Sequence, residues 1–164
     1  MRQGKAEKTN AARLLDSLGL TYELRPYEVD LDDLSATSVA KKIGLPPEQV
    51  FKTLLTSTNT ADHLFAVIPG DAELDPKKLA QAAGVKKIEL AALKEVEPLT
   101  GYLRGAVTVL ATRKPFAAFA DETIELHDII SVSAGQRGLQ LLLSPDAYLQ
   151  ATEAALYDLT RDHA

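Results

Sequence analysis

The chain has 164 residues, 46% apolar and 25% charged, with a formal net charge of −5 and no cysteine. That length and balance fit one globular domain with its own core and exclude a disordered polymer, while the missing thiols exclude disulfides, thiolate nucleophiles and cysteine metal sites. The acidic balance excludes coating of a DNA duplex, and with no run of 18 apolar residues and no apolar core in a leader over Met1–Asn10, a membrane partner is not expected and the cytoplasm is the expected location.

Residues 1–8 are polar and expected to be flexible. Asn10 is placed to cap a helix over Ala11–Leu15, with Gly19 as its stop. Thr21–Val29 reads as a strand and Asp30–Asp33 as an acidic loop. Ser35 opens a helix carrying Val39, Ala40 and Ile43 and ending at Gly44. After the Pro46-Pro47 turn comes Val50-Phe51-Lys52-Thr53-Leu54-Leu55, an apolar strand with one lysine in it. Ser57–Asp62 is a hairpin loop by composition, and His63–Ile68 the returning strand.

Asp75-Pro76 is a cap followed by proline at the first helical position, so a helix runs from there to Gly84. Lys87–Leu90 is ambiguous. Ala91–Val96 reads as a helix closed by Pro98, and Gly101-Tyr102-Leu103-Arg104-Gly105 as a glycine-bracketed loop. Ala106–Ala111, Phe116–Ala120, Thr123–Leu126 and Asp128–Ser133 read as strands. Ala134-Gly135-Gln136-Arg137-Gly138 is a tight basic turn into the strand Leu139–Leu143, and Ser144-Pro145 starts a last helix. Strands cluster rather than alternate with helices. The expected fold is therefore α+β with a mixed, partly closed sheet, not a doubly wound parallel sheet.

The chain carries neither a Walker-type phosphate loop nor a dinucleotide fingerprint. His63, His127 and His163 lack metal-ligand spacing, and no nucleophile elbow supports a serine hydrolase. Three segments remain as candidates for chemistry. An ammonium on a half-buried strand is costly unless it is paired, snorkels or works at a site; alternation alone equally allows Lys52 a solvent-facing edge. The Gly101–Gly105 loop permits close backbone approach, and free amides there could hold an oxyanion, or it is a plain loop. The turn Ser133–Gly138 suits a phosphate or sugar contact, or is a plain hairpin.

Phe51-Lys52-Thr53-Leu54-Leu55, Gly84-Val85-Lys86-Lys87, Thr100-Gly101-Tyr102-Leu103-Arg104-Gly105 and Val132-Ser133-Ala134-Gly135-Gln136-Arg137-Gly138-Leu139 occur in that order. This ordered set resembles the YbaK/EbsC family of aminoacyl-tRNA deacylases, related to the editing domain inserted in bacterial prolyl-tRNA synthetase. The resemblance covers about residues 9–155. It implies an α+β fold with a mixed, barrel-like β-sheet wrapped by helices, and trans-editing of mischarged tRNA, chiefly Cys-tRNA(Pro), with attack by the substrate's own thiol.

The resemblance places the essential lysine on Lys52 and the substrate-loop glycine on Gly105. It places substrate contacts on Tyr27, Ser35, Thr53, Gly101, Ser133, Gly135 and Arg137. Arg137, Lys86 and Lys87 are candidates for phosphate contacts, or are solvated surface charges. No metal or other cofactor is implied. The partners implied are the aminoacylated 3′ end of tRNA(Pro) and, given weak tRNA affinity from an acidic chain, prolyl-tRNA synthetase. The chain departs from the family where Gly-Gly-x-x-Pro becomes Gly105-Ala106-Val107-Thr108-Val109, where a Gly-Gly becomes Ala134-Gly135, and where a commonly aromatic position near Ser35 is small. These departures bear on which amino acid is removed. The alternatives are cleavage of another small aminoacyl-tRNA(Pro) such as Ala-tRNA(Pro), a non-catalytic module that binds aminoacyl ends, and a small-molecule-binding domain that kept the fold and lost the site.

Overall fold

A computed structural model describes residues 8–161. Among these residues there are five α-helices and eight strands, the strands arranged as two sheets. The helices are α1 (Asn10–Ser17), α2 (Ala36–Ile43), α3 (Pro76–Ala83), α4 (Leu93–Thr100) and α5 (Pro145–Thr152). The strands are β1 (Glu23–Pro26), β2 (Phe51–Thr58), β3 (His63–Pro69), β4 (Ile88–Leu90), β5 (Ala117–Asp121), β6 (Ile130–Ser133), β7 (Leu139–Leu143) and β8 (Ala155–Tyr157). The larger sheet runs β4-β2-β3-β5-β8 and the smaller β1-β7-β6. β5 and β8 are parallel to their neighbours and every other pairing within the sheets is antiparallel. The fold is thus α+β with a mixed sheet. It does not close into a barrel.

β3 is central, buried from Leu64 to Pro69, and reads as a continuous apolar run because both of its faces are covered. One face packs Leu64, Ala66 and Ile68 on Leu79 and Ala80 of α3. On the other side Val67 joins Phe51, Leu15 of α1, Tyr148 of α5 and the apolar residues of β6 and β7. Helix starts follow their caps. The side chains of Ser35, Asp75 and Ser144 each accept a backbone N–H from the first turn of α2, α3 and α5.

The sheets meet at one point, a parallel bridge between Val50 and Ser131. Beyond it β6 leaves β2, and β4 pairs with β2 only from Thr56. Between those points one edge of β2 is open. Leu55 turns its carbonyl away from β3 to the Ala91 N–H at 3.0 Å. By strand alternation Thr53 turns its N–H and C=O the same way, into the gap.

Several local expectations are corrected. Thr9, not Asn10, caps α1 through its Oγ1. Pro98 lies inside α4 instead of closing it. Thr123–Leu126 is part of a 3₁₀ helix (Glu122–Leu126), because Asp121 accepts the Thr123 N–H and hydroxyl and turns the chain. Ala106–Ala111 forms no strand. Tyr102 Oη donates to the carbonyls of Leu110 and Ala111, Thr108 Oγ1 accepts the Leu110 N–H, and Ala111 adopts φ 54°. Those contacts satisfy the backbone of a buried apolar run without a ladder. β8, three residues at a sheet edge, carries no pattern that foretold it. The flexibility expected of residues 1–8 falls outside the described residues except at Lys8, whose ammonium pairs with Asp16 at 2.7 Å.

Candidate functional site

The open edge of β2 lines a cavity of about 530 Å³. β2 supplies Lys52 and Thr53, the start of α2 supplies Ser35, the loop after α4 supplies Arg104 and Gly105, and the small sheet supplies Ser133 and Gln140. Apolar side chains, among them Leu34, Phe51, Leu55 and Val96, complete the wall.

Lys52 is half-buried. Its Nζ donates to the Gly70 carbonyl at 3.2 Å, and among the described residues no carboxylate lies within ion-pair distance. Burial pulls its pKa below the usual lysine value, against the smaller upward pull of Asp71 and then Glu73. The acceptor is brought close because residue 70 is glycine. A Cβ there would lie 2.7 Å from the Val50 carbonyl and 2.9 Å from Ala36 Cβ.

The wall facing Lys52 is a loop clamped by a turn. Ser133 Oγ donates to the Ala106 carbonyl at 2.9 Å and accepts the Gly135 N–H at 3.0 Å. Arg137 Nε donates to the Arg104 carbonyl at 2.8 Å. Gly135 lies flat on the Tyr102 ring, where an added Cβ would come within 2.8 Å of Cε1. Gly101 ends α4 at φ 85°. Gly105 adopts φ 87°, and its N–H meets no protein acceptor among the described residues.

The expected site residues therefore divide. Lys52, Thr53, Ser35, Gly105 and Ser133 line the cavity. Arg137 borders a shallower groove at its mouth, alongside Arg104 and the exposed Leu31, Leu93 and Leu103. Gly101 and Gly135 hold the loop from behind and do not line the cavity. Tyr27 is also displaced from it. Its ring packs against α2, with Lys42 Nζ 6.0 Å from the ring centroid. Lys87 borders a separate polar groove with His63 and Glu95, which pair at 3.2 Å, and Lys86 is exposed. His127 sets its ring edge-on to Phe51, and His163 lies outside the described residues. The sequence reading missed Gly70, Arg104 and Gln140. Arg104 had a signal, standing inside the glycine-bracketed loop.

Chemically the cavity is rich in donors and poor in nucleophiles. The Ser35 hydroxyl is tied to Asp33 at 2.6 Å, and Ser133 is engaged as described. Thr53 Oγ1 is buried beside the Tyr148 hydroxyl without meeting it in hydrogen-bond geometry. Among the described residues no histidine, aspartate or glutamate lines the cavity. What lines it is the half-buried Lys52, the exposed Arg104 at its rim, free backbone amides and an apolar wall. Such a set binds and polarises an acceptor and leaves the attacking group to come from water or from the ligand.

The aminoacyl-tRNA editing domain model matches residues 34–151. A protein of Enterococcus faecalis, provisionally named Cys-tRNA(Pro)/Cys-tRNA(Cys) deacylase EbsC, is 40% identical over 154 residues, covering 94% of each chain. A protein of Escherichia coli K12 named multifunctional Ser/Thr-tRNA deacylase ProXp-y is 28% identical over 60% of this chain and 60% of its own length. In fold, the chain superposes with a TM-score of 0.78 on a crystal structure described as that of a trans-editing enzyme for prolyl-tRNA synthetase, at 21% identity, covering 96% of this chain and all of that one.

Proposed function

The chain belongs to the aminoacyl-tRNA editing domain family, and we propose that it is a trans-editing deacylase that cleaves the ester between an amino acid and the 3′ end of mischarged tRNA(Pro). The observation that carries this reading is Lys52, a half-buried ammonium whose one partner among the described residues is the Gly70 carbonyl, lining a cavity whose serine hydroxyls, Ser35 and Ser133, are already engaged. An ammonium so placed has unused donors for a substrate oxygen, and that contact is a charge-assisted hydrogen bond.

In the proposed mechanism the tRNA end enters past Arg104 and Arg137, which hold phosphate or sugar oxygens. Lys52 donates to the ester. The Gly105 amide donates to the carbonyl oxygen as it becomes an oxyanion, a donor of the kind worth about 3–4 kcal/mol in other acyl-transfer sites. The attacking group is the substrate's own β-thiol, which closes a cyclic thiolactone, or, for substrates without one, water, which gives the free amino acid. In both cases the acyl C–O bond of the ester breaks and the ribose oxygen leaves with the proton that the thiol or water gives up. Cysteine, serine and threonine, the amino acids in the relatives' names, each carry one heteroatom on Cβ, and Cys-tRNA(Pro) is the first substrate to test. Residues 1–164 act as one editing domain, in the cytoplasm, with prolyl-tRNA synthetase as the partner that presents tRNA(Pro).

Purified protein is incubated with tRNA(Pro) charged with labelled cysteine, serine or alanine, and loss of the label from tRNA is followed. The wild type is expected to deacylate at least one of them well above buffer, and Lys52→Ala to slow it by about a hundredfold or more with the melting temperature preserved. Binding of the charged end without release would replace the enzyme by a capture module. Near-normal turnover by Lys52→Ala would remove the lysine from the mechanism.

A further inference from the structure

The deacylase reading leaves open how the cavity tells one amino acid from another, and Gln140 bears on that. It lies on β7 opposite Ser133 of β6, is 5% exposed, and lines the cavity. A glutamine within Leu139-Gln140-Leu141-Leu142-Leu143, a strand buried throughout, has an oxygen and two N–H groups to satisfy. The oxygen is taken. Ser131 Oγ donates to Gln140 Oε1 at 2.8 Å in a buried contact. That bond fixes the plane of the carboxamide. The amide nitrogen has no protein partner among the described residues and is not sealed in the core, so it opens onto the cavity.

Depth decides which part of a ligand reaches it. Leu34, Leu93, Val96 and Arg104 line both the cavity and the shallower groove at its mouth, which Arg137 also borders. A nucleotide-linked ester entering there leaves its nucleotide at the arginines. The aminoacyl side chain is the group that travels inward to the buried carboxamide.

We infer that Gln140 is a specificity-determining residue whose free amide donates to a heteroatom on Cβ of the aminoacyl group, so that the chain selects β-hydroxy and β-thiol amino acids over alanine. A hydroxyl oxygen or a thiol sulfur accepts this hydrogen bond. A methyl group does not, and it leaves a desolvated donor unmatched, which is how a site built to hydrogen-bond its substrate rejects the analogue that lacks the atom. Ser131 is a positioning residue in this scheme. It holds the carboxamide so that the donor, not the acceptor, faces the ligand.

The test is the ratio of kcat/KM for Ser-tRNA(Pro) to that for Ala-tRNA(Pro), both attacked by water, measured on wild type, Gln140→Met and Ser131→Ala. The wild type is expected to favour the serine substrate by at least about tenfold. Gln140→Met, close in shape but without a donor, is expected to erase that preference by slowing Ser-tRNA(Pro) cleavage and raising Ala-tRNA(Pro) cleavage, which no longer strands a donor. Ser131→Ala is expected to shift the ratio in the same direction by less, and it decides the matter if Gln140→Met does not fold. A loss shared equally by both substrates would overturn the assignment, as would a wild type that cleaves Ala-tRNA(Pro) as fast as Ser-tRNA(Pro) or that cleaves neither while still cleaving Cys-tRNA(Pro). A wild type that frees the label from none of the three charged tRNAs overturns the deacylase reading itself and this inference with it, so the two failures are distinct.

Discussion

Holding Lys52 half-buried with a single carbonyl partner costs free energy in the resting fold, because its ammonium gives up water for one 3.2 Å hydrogen bond. The direction of its titration shift says the same thing, and the sign fixes a pH window. The folded-state pKa is below the unfolded value, so the cost is complete below the folded pKa. It is relieved as pH rises from there to the unfolded value, where the folded chain has released a proton that the unfolded chain still holds. Lys52→Met removes the charge and keeps the stem. We expect it to be inactive and to melt higher than wild type at neutral pH. The advantage should shrink as calorimetry moves to alkaline pH. A variant that melts lower at every pH would mean that the ammonium contributes to holding the fold. Lys52 was visible in the sequence because a charge interrupts an apolar strand. Gln140 was not, since a polar residue inside such a run declares a role only once its oxygen is seen tied to Ser131, nine positions away.

Among the elements, the junction after β5 carries the most concentrated polar burial. Asp121 is 1% exposed, and its two carboxylate oxygens accept the N–H and hydroxyl of Thr123 and, at 2.9 Å, the N–H of Leu159. One side chain thereby starts the 3₁₀ helix and ties the segment after β8 to the central sheet. Asp121→Ala strands the buried Leu159 N–H, an unsatisfied donor that costs about 1–3 kcal/mol. The expected result is a melting point lowered by roughly 3–9 °C, with hydrogen exchange accelerated first around residues 155–160. Uniform acceleration across β2 and β3 would instead mean that this junction does not open apart from the core. The same junction shows what sequence pattern conveys and what it does not. Capped helices such as α3, and the strands β2, β3, β6 and β7, announced themselves through local caps and apolar runs. The 3₁₀ helix and β8 did not, because Asp121 and its partner Leu159 are 38 residues apart. Ala106–Ala111 failed for a related reason. A strand and a buried irregular wall share one apolar pattern, and only the distant Tyr102 hydroxyl separates them.

At the scale of the whole molecule, a net charge of −5 has to be reconciled with a polyanionic substrate. The cations are placed locally. Arg104 and Arg137 stand together at the cavity mouth, while Lys87 borders a separate groove and Lys86 is exposed beside it in sequence. Binding through the mouth alone engages about two phosphates of a single-stranded end, and each neutralised charge there contributes about 0.7 to the slope of log affinity against log salt. The expected slope of log(1/KM) for charged tRNA(Pro) is therefore shallow, about −1.4, and Arg137→Gln should bring it near −0.7. A minimal acceptor-stem substrate should show the same slope as full-length tRNA. A slope steeper than about −4 would mean that the tRNA body lies along the protein and that cations far from the cavity take part. The shallow slope also bears on how tRNA(Pro) is chosen. Two arginines at the mouth of one cavity can grip an end that all tRNAs share, so the proposed function assigns selection of the tRNA to a partner synthetase. Adding prolyl-tRNA synthetase should then lower KM for charged tRNA(Pro) while leaving the ratio between aminoacyl groups, which the cavity wall sets, where it was.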